Sequence, residues 1–207
     1  SLYFSSNTDE AVLSDSASWL DETQDFTWEA WIYIDDLSAD RTIISSWDGA
    51  NSGVLFYFDN QPADGQANKL EVWTPAGNDL LTSTNQIAAN QWYHTALVRY
   101  GQTLNLYING VLEDEGSAAS IVKSGQATKI GRYHTNTAET FSGYIDEVRI
   151  TQGTARYLVA SPVTSYPQAG LDAANYSHNF TCTWSFQPGF TFSNGQQGWA
   201  QSGAGIS

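Results

Sequence analysis

Short segments in which apolar and polar residues alternate recur through residues 1–150, about ten residues apart. The clearest of them is FTWEAWIYI, residues Phe26–Ile34. One face of this segment carries Phe26, Trp28, Ala30, Ile32 and Ile34, and the other carries Glu29, Trp31 and Tyr33. The first face is predicted to be core, and the second suits either another packed layer or a ligand. Because no segment has the period of a long amphipathic helix, the pattern predicts an all-β protein of two packed antiparallel sheets.

The same reasoning locates the other strands. They are predicted at Leu2–Phe4, Ala11–Leu13, Ile43–Trp47, Val54–Phe58, Leu70–Trp73, Gln91–Tyr100, Leu104–Asn109, Val111–Asp114, Thr128–Arg132 and Tyr144–Ile150. Asn109-Gly110 is a strong hairpin signal, because both positions of a tight two-residue turn require positive φ. In Gln91–Tyr100, His94 shares an apolar face with Trp92 and Ala96, which predicts a buried histidine in the core.

Asp146 has an unexpected place in the strand Tyr144–Ile150. Regular alternation puts it on the same face as Val148 and Ile150, with Glu147 and Arg149 on the other. A carboxylate that faces inward must be hydrogen-bonded, protonated or bound to a cation, because an uncompensated buried charge is costly. The sequence therefore predicts a compensating partner for Asp146.

The order of the segments resembles a known family. FTWEAWIYI, QWYHTALVRY, LNLYINGVLED, ATKIGRY and FSGYIDEVRI follow one another as in laminin-G-like jelly rolls of the concanavalin A-like lectin/glucanase superfamily. The resemblance covers roughly residues 1–160, and the TQGTARY that ends it is similar to the ending of such domains in bacteriophage tail and other virion surface proteins. It implies a two-sheet antiparallel jelly-roll sandwich for residues 1–160.

The resemblance also implies a candidate cofactor. Related jelly rolls often carry a structural calcium ion between an early acidic residue and the carboxylate that Asp146 resembles. Asp9 is the candidate partner, and a loop carbonyl near Asp48 or Gly49 could complete the site. The alternative is that Asp146 accepts backbone N–H groups and that no metal is bound.

Recognition of a glycan would use aromatic rings for stacking and polar side chains for hydroxyl groups. Two sets of residues suit this role. One lies on loops that could converge: Trp47, Asp48, Asn51, Arg132, Tyr133 and His134. The other is on a sheet face: Trp31, Tyr33 and Trp73. Each aromatic residue could instead be a packing residue, because such side chains dominate core energetics.

Charge and motif content exclude other classes of function. The chain has 22 acidic and 8 basic residues, a formal charge of −14, which repels nucleic acid and anionic membranes. The Glu-x-Asp-x-x-Glu pattern of glucanases in this superfamily is absent, and Asp146 and Glu147, being adjacent in a strand, point to opposite faces. We therefore predict that the protein is not an enzyme.

Residues 161–207 depart from the jelly-roll pattern. His178–Gln187 alternates strictly between apolar and polar residues, Pro188-Gly189 makes a turn, and Phe190–Phe192 could pair back. This predicts a C-terminal β-hairpin extension, which must pack either on its own sandwich or on a neighbouring subunit. No apolar run in the chain approaches the roughly 20 residues of a membrane span.

These patterns predict a non-catalytic, lectin-like module at a virion surface, such as a tail fibre, decoration or attachment protein. Its expected partners are a glycan or host receptor and, through residues 161–207, further copies of the chain or other virion proteins. The alternative is a secreted bacterial carbohydrate-binding or adhesin module from a larger extracellular protein.

Overall fold

Two antiparallel sheets of six strands each form the fold in the computed structural model of the chain. The structure describes residues 1–14, 16–61, 67–134 and 139–157, which lie in one compact unit, Ser1–Leu158. This architecture confirms the prediction of an all-β, two-sheet jelly-roll sandwich. The predicted C-terminal extension, residues 161–207, lies outside the described residues.

The first sheet has the strand order β1-β12-β3-β8-β9-β10, and the second has the order β2-β11-β4-β5-β6-β7. The bounds are β1 Leu2–Phe4, β2 Ala11–Leu13, β3 Phe26–Ile34, β4 Arg41–Ser45, β5 Leu55–Asp59, β6 Lys69–Thr74, β7 Asn78–Thr82, β8 Trp92–Tyr100, β9 Thr103–Ile108, β10 Val111–Ser117, β11 Thr128–Ile130 and β12 Gly143–Gln152. A single turn of helix, α1 Ser16–Trp19, follows β2. No helix in the described part of the chain is long and apolar enough to cross a membrane.

The core lies between the sheets and is built by the predicted alternation. Phe26, Trp28 and Ile32 of β3 are completely buried, and Phe56 and Phe58 of β5 face them from the second sheet. The Asn109-Gly110 hairpin joins β9 to β10 with φ of +51° and +78° at the two turn positions, as predicted. Strand β7 was not predicted, because its sequence, NDLLT, shows no alternation of apolar and polar residues; in the structure only Leu81 of this strand is fully buried.

A β-bulge in β12 reverses the predicted orientation of Asp146. Ile145 pairs with Ile32 and Asp146 with Trp31, but the next pair is Arg149 with Glu29. The additional residue lies at Glu147, whose φ is +47°. Asp146 therefore shares the outer face with Trp31, and its side chain is 47% exposed. The prediction of an inward carboxylate was wrong because it assumed unbroken alternation, and a bulge shifts the alternation by one residue.

Strand β8 is apolar on both faces, and the prediction chose the wrong one. Its core face carries Thr95 and Leu97, whereas His94 and Ala96 lie on the outer face of the first sheet. That face has its own cover at one end, formed by residues 153–157, which we call the strap. Tyr157 of the strap packs with Ala96, and this explains why an outward position is apolar.

The strap is held on the sheet by polar contacts. The Thr27 hydroxyl donates to the Thr154 carbonyl (3.1 Å) and accepts from the Arg156 N–H (2.9 Å). Glu29, only 2% exposed, accepts hydrogen bonds from Arg149 and from the Tyr157 hydroxyl. Burial opposes ionisation of Glu29, but these two bonds and the charge of Arg149 together hold its pKa below the usual value.

Candidate ligand-binding site

A group of aromatic side chains covers the outer face of the second sheet. Tyr133 stacks on Trp47 with 5.0 Å between ring centroids and 24° between ring planes. Trp73 meets Trp47 edge to face, also at 5.0 Å. These three rings rest on Leu55 and Tyr57, which point outward from β5. We call this group the Trp47 cluster.

Two loops bring the cluster together. Trp47 belongs to the loop between β4 and β5, and Tyr133 follows β11, which pairs with β4. His134 closes against the first loop, since a side chain added at Gly49 would lie 2.7 Å from its Nδ1. The structure therefore places Trp47, Tyr133 and His134 beside one another, although they are far apart in sequence.

Asp48 shapes the first loop from within. Its Oδ1 accepts hydrogen bonds from the N–H groups of Ala50 (2.7 Å) and Ser52 (3.1 Å), and its Oδ2 accepts one from the Ser52 hydroxyl (2.6 Å). Partial burial opposes ionisation, but these bonds outweigh it and hold the pKa of Asp48 below its usual value. Asn51, at the tip of the same loop, is exposed.

Three nitrogen atoms of the predicted loop residues are buried without a hydrogen-bond partner among the described residues. They are Trp47 Nε1, Arg132 Nε and His134 Nδ1. Seven side-chain atoms in the described part of the chain have this property, so the loop residues hold a large share of them. Arg132 also forms an ion pair through Nη1 with Glu10, at 3.4 Å. Buried polar atoms in native proteins are almost always paired, and a bound water molecule is the simplest partner for each of these three atoms.

The alternative set of aromatic residues is divided by the fold. Trp31 and Tyr33 lie on the outer face of the first sheet, in β3. Trp73 lies on the outer face of the second sheet and belongs to the Trp47 cluster. The three residues therefore do not form one surface.

Beside the Trp47 cluster, on the same outer face, lies a pair of acidic residues that sequence reasoning missed. Glu71 and Asp59 are 1% and 2% exposed and are hydrogen-bonded to each other. Tyr57 also donates a hydrogen bond to Glu71. Burial, reinforced by the neighbouring Asp59, raises the pKa of Glu71 to about 8. Burial raises the pKa of Asp59 as well, so the pair retains a proton near neutral pH, held in the hydrogen bond between the two carboxyl groups.

This acidic pair does not have the arrangement of a glycosidase. Retaining enzymes separate their two carboxyl groups by about 5–5.5 Å and open both to the sugar. Glu71 and Asp59 contact each other directly and are almost completely buried. Alternation along β5 (LFYFD) and β6 (KLEVWT) predicts that Asp59 and Glu71 point outward. Only the pairing of β5 with β6 brings the two side chains together.

The structure does not bring Asp9 and Asp146 together. Asp9 accepts hydrogen bonds from the N–H groups of Ser5 (2.8 Å) and Ser6 (2.9 Å), which hold its pKa below the usual value. Asp146 lies 3.4 Å from the amino group of Ser1, so the two carboxylates are at opposite ends of β1. Among the described residues there is no group of three or more His, Cys, Asp or Glu side chains that could hold a metal ion. This arrangement does not fit a calcium ion shared by the two carboxylates.

We therefore expect a calcium chelator to leave the melting temperature of the protein unchanged. An ion that binds only the folded state must raise the midpoint with its concentration, so thermal melting in a calcium series against EDTA tests this directly. A midpoint that rises with calcium in the natural chain but not in Asp9→Asn or Asp146→Asn would restore the predicted site. A rise that both variants retain would place the ion elsewhere.

Comparison with solved structures supports the fold. A candidate carbohydrate-binding protein from Bacteroides ovatus is 25% identical, with a TM-score of 0.55 over 71% of this chain. The fold is shared by domains LG4-5 of the mouse laminin α1 chain, which are 12% identical with a TM-score of 0.56 over 73% of this chain. It is also shared by domain 4 of the extracellular arabinanase AbnA from Geobacillus stearothermophilus, solved with arabinotriose, which is 20% identical with a TM-score of 0.50 over 64% of this chain. The alignments cover 41%, 42% and 62% of those chains, respectively, so this chain spans less than two thirds of each.

Sequence comparison gives the family. A comparison with curated protein sequences yields no significant match. A model of a laminin-G-like family, described as concanavalin A-like lectin/glucanases superfamily, matches residues 5–155, which is more than half of the chain. The matched residues include both sheets apart from β1. The chain therefore belongs to this laminin-G-like family of the concanavalin A-like lectin/glucanases superfamily.

Proposed function

We propose that the protein is a non-catalytic glycan-binding module and that the Trp47 cluster is its binding site. The observation that carries the proposal is the cluster of rings on the outer face of the second sheet, in which Trp47 and Trp73 remain partly exposed and are supported by Tyr133, Leu55 and Tyr57. Aromatic rings offer flat apolar faces to a sugar ring, and the exposed amide of Asn51 at the tip of the same loop can hydrogen-bond to its hydroxyl groups. The 25% identity to the Bacteroides ovatus protein supports the same class of ligand.

The net charge of the chain limits the class of glycan that it is expected to bind. The formal charge of −14 repels polyanions, so a neutral glycan is the expected partner. Among the loop residues, the Asp48 carboxylate already accepts hydrogen bonds within its own loop, and Arg132 forms an ion pair with Glu10. This leaves Trp47, Asn51 and His134 as the residues expected to contact the sugar, with Tyr133, which is 7% exposed, supporting the ring of Trp47.

The test is calorimetric titration of the full chain with glycans that a glycan array identifies, before and after Trp47→Ala. We expect at least a tenfold loss of affinity, because an aromatic contact worth about 1.4 kcal/mol corresponds to that factor. Trp19→Ala is the matched control, since Trp19 is 44% exposed on α1 and lies outside the cluster. A folded Trp47→Ala variant that binds as tightly as the natural chain contradicts the site, and release of reducing sugar from the bound glycan contradicts the absence of catalysis.

We further propose a virion surface as the setting, as a tail fibre, decoration or attachment protein, with residues 161–207 as an assembly element. The resemblance of TQGTARY to virion proteins supports this, whereas the similarity to a bacterial protein supports a secreted module equally well. Light scattering separates the two. An oligomer that becomes monomeric when the chain ends at Pro162 favours a particle component, and a monomer in both forms favours an independent extracellular module.

A further inference from the structure

Four aromatic side chains form a continuous row across the outer face of the first sheet. Tyr3 of β1 pairs with Tyr144 of β12, Tyr144 with Tyr33 of β3, and Tyr33 with Trp92 of β8. Successive ring centroids are 4.6, 5.8 and 5.5 Å apart. We call this row the aromatic ladder. It crosses four strands at right angles, a span of about 14 Å at the usual strand spacing.

The ladder occupies the part of this face that the strap leaves uncovered. At the other end of the face, Tyr157 and Ala155 of the strap cover Ala96, Val98 and Tyr107. Along the ladder, Tyr3 is 54% exposed, Trp92 42% and Tyr144 37%. Trp31 and His94 form the neighbouring row on the same face, with 5.4 Å between their ring centroids, and Trp31 is 37% exposed. A contiguous patch of exposed rings of this kind is often a binding surface.

The shape of the patch argues for a linear occupant. At about 250 Å² for a whole aromatic side chain, the exposed parts of these rings amount to roughly 400 Å². A stable protein–protein interface needs about 800 Å² from each partner. The ladder is thus too small to hold a second copy of the chain by itself, but its length and narrow width suit a single polymer strand.

The chemistry of the patch argues for an uncharged, hydroxyl-rich occupant. No residue of the ladder carries a charge, and three of the four end in a phenol group that can donate and accept hydrogen bonds. Asp146, in the next row, is 47% exposed, and its negative charge disfavours an anionic occupant. The chain as a whole, at −14, repels a polyanion.

We propose that the aromatic ladder is a second carbohydrate-binding surface, which takes an extended, neutral polysaccharide strand laid across β1, β12, β3 and β8. The ladder and the Trp47 cluster share no residue and lie on outer faces of different sheets. Substitutions that abolish binding at one site are therefore not expected to affect the other.

The test is native affinity electrophoresis of the full chain in gels that contain mixed-linkage β-glucan, linear arabinan or galactomannan, with polygalacturonate as the acidic control. We expect retardation in at least one neutral polymer and none in polygalacturonate. Trp92→Ala/Tyr144→Ala should weaken the retardation at least tenfold. Tyr100→Ala, which removes a 56% exposed ring of β8 outside the ladder, should not change it. If the double variant does not fold, Trp92→Ala alone gives the same comparison.

Each outcome decides between the two sites. Retardation that survives Trp92→Ala/Tyr144→Ala but is lost in Trp47→Ala overturns the ladder and leaves the Trp47 cluster. The reverse result supports the ladder and contradicts the cluster. A natural chain that no neutral polymer retards overturns the ladder assignment. So does a dimer in light scattering that the double variant dissociates, because the ladder would then hold a second copy.

Discussion

Gly143→Ala is expected to lower the free energy of unfolding by more than about 4 kcal/mol, a large part of the total stability of a domain of this size. Gly143 begins β12 between Phe4 of β1 and Ile34 of β3, and its φ is +131°. An added Cβ would overlap the carbonyl oxygen of Tyr33. Because that oxygen is backbone in the middle of the first sheet, the strands must separate to relieve the overlap.

Gly153→Ala is the matched control. Gly153 follows the other end of β12 with a φ of +74°, and an added Cβ there meets no atom within 4 Å. Only the conformational cost of a positive φ remains, about 1 kcal/mol. Urea unfolding of both variants measures the difference. Free energies that agree within 1 kcal/mol would show that the clash at Gly143 is relieved by small movements.

Glu71→Gln is expected to make the protein more stable than the natural chain at pH 8, by an amount on the order of a few kcal/mol. Each unit by which the pKa of Glu71 is raised on folding corresponds to about 1.4 kcal/mol of unfolding free energy at high pH. The pKa of Glu71 is raised from 4.5 to about 8 in the folded state. The stability that its proton provides is fully present below pH 4.5 and is lost as the pH rises towards 8. Glutamine imitates the protonated acid, since its oxygen can accept from Tyr57 and its amide can donate to Asp59.

Urea unfolding between pH 5 and pH 8 checks this expectation. The natural chain should lose stability relative to Glu71→Gln as the pH rises, and the two should converge near pH 5. Glu147→Gln, which changes an exposed carboxylate in the β12 bulge, should follow the natural chain throughout. Parallel profiles for Glu71→Gln and the natural chain would mean that Glu71 is ionised in the folded state across this range.

Local sequence patterns predicted the structure correctly where a single physical rule determines it. The bounds of β3 follow from strict alternation over nine residues, and the β9–β10 turn follows from the backbone freedom of Asn109 and Gly110. Alternation alone failed at Asp146, since nothing in FSGYIDEVRI signals the bulge at Glu147. It also failed at His94, because both faces of β8 are apolar and the cover on the outer one comes from a remote strap.

The site depended on long-range pairing, which a single sequence does not provide. The loop residues Trp47, Tyr133 and His134 were chosen by residue type, and the structure places them together, but their role in binding stays a prediction. Glu71 and Asp59 were missed because their contact arises from the register of β5 and β6. The ladder was missed for the same reason, since its residues lie in four strands from Tyr3 to Tyr144.

The back-to-back arrangement of the two sheets has a consequence for valency. The outer face of the first sheet, with Trp92, and that of the second, with Trp47, look in opposite directions across a core about 10 Å thick. A short oligosaccharide held on one outer face cannot contact the rings on the other at the same time. If both proposed surfaces bind glycan, a single copy of the chain would join two separate polysaccharide strands and could cross-link a glycan matrix without an oligomer.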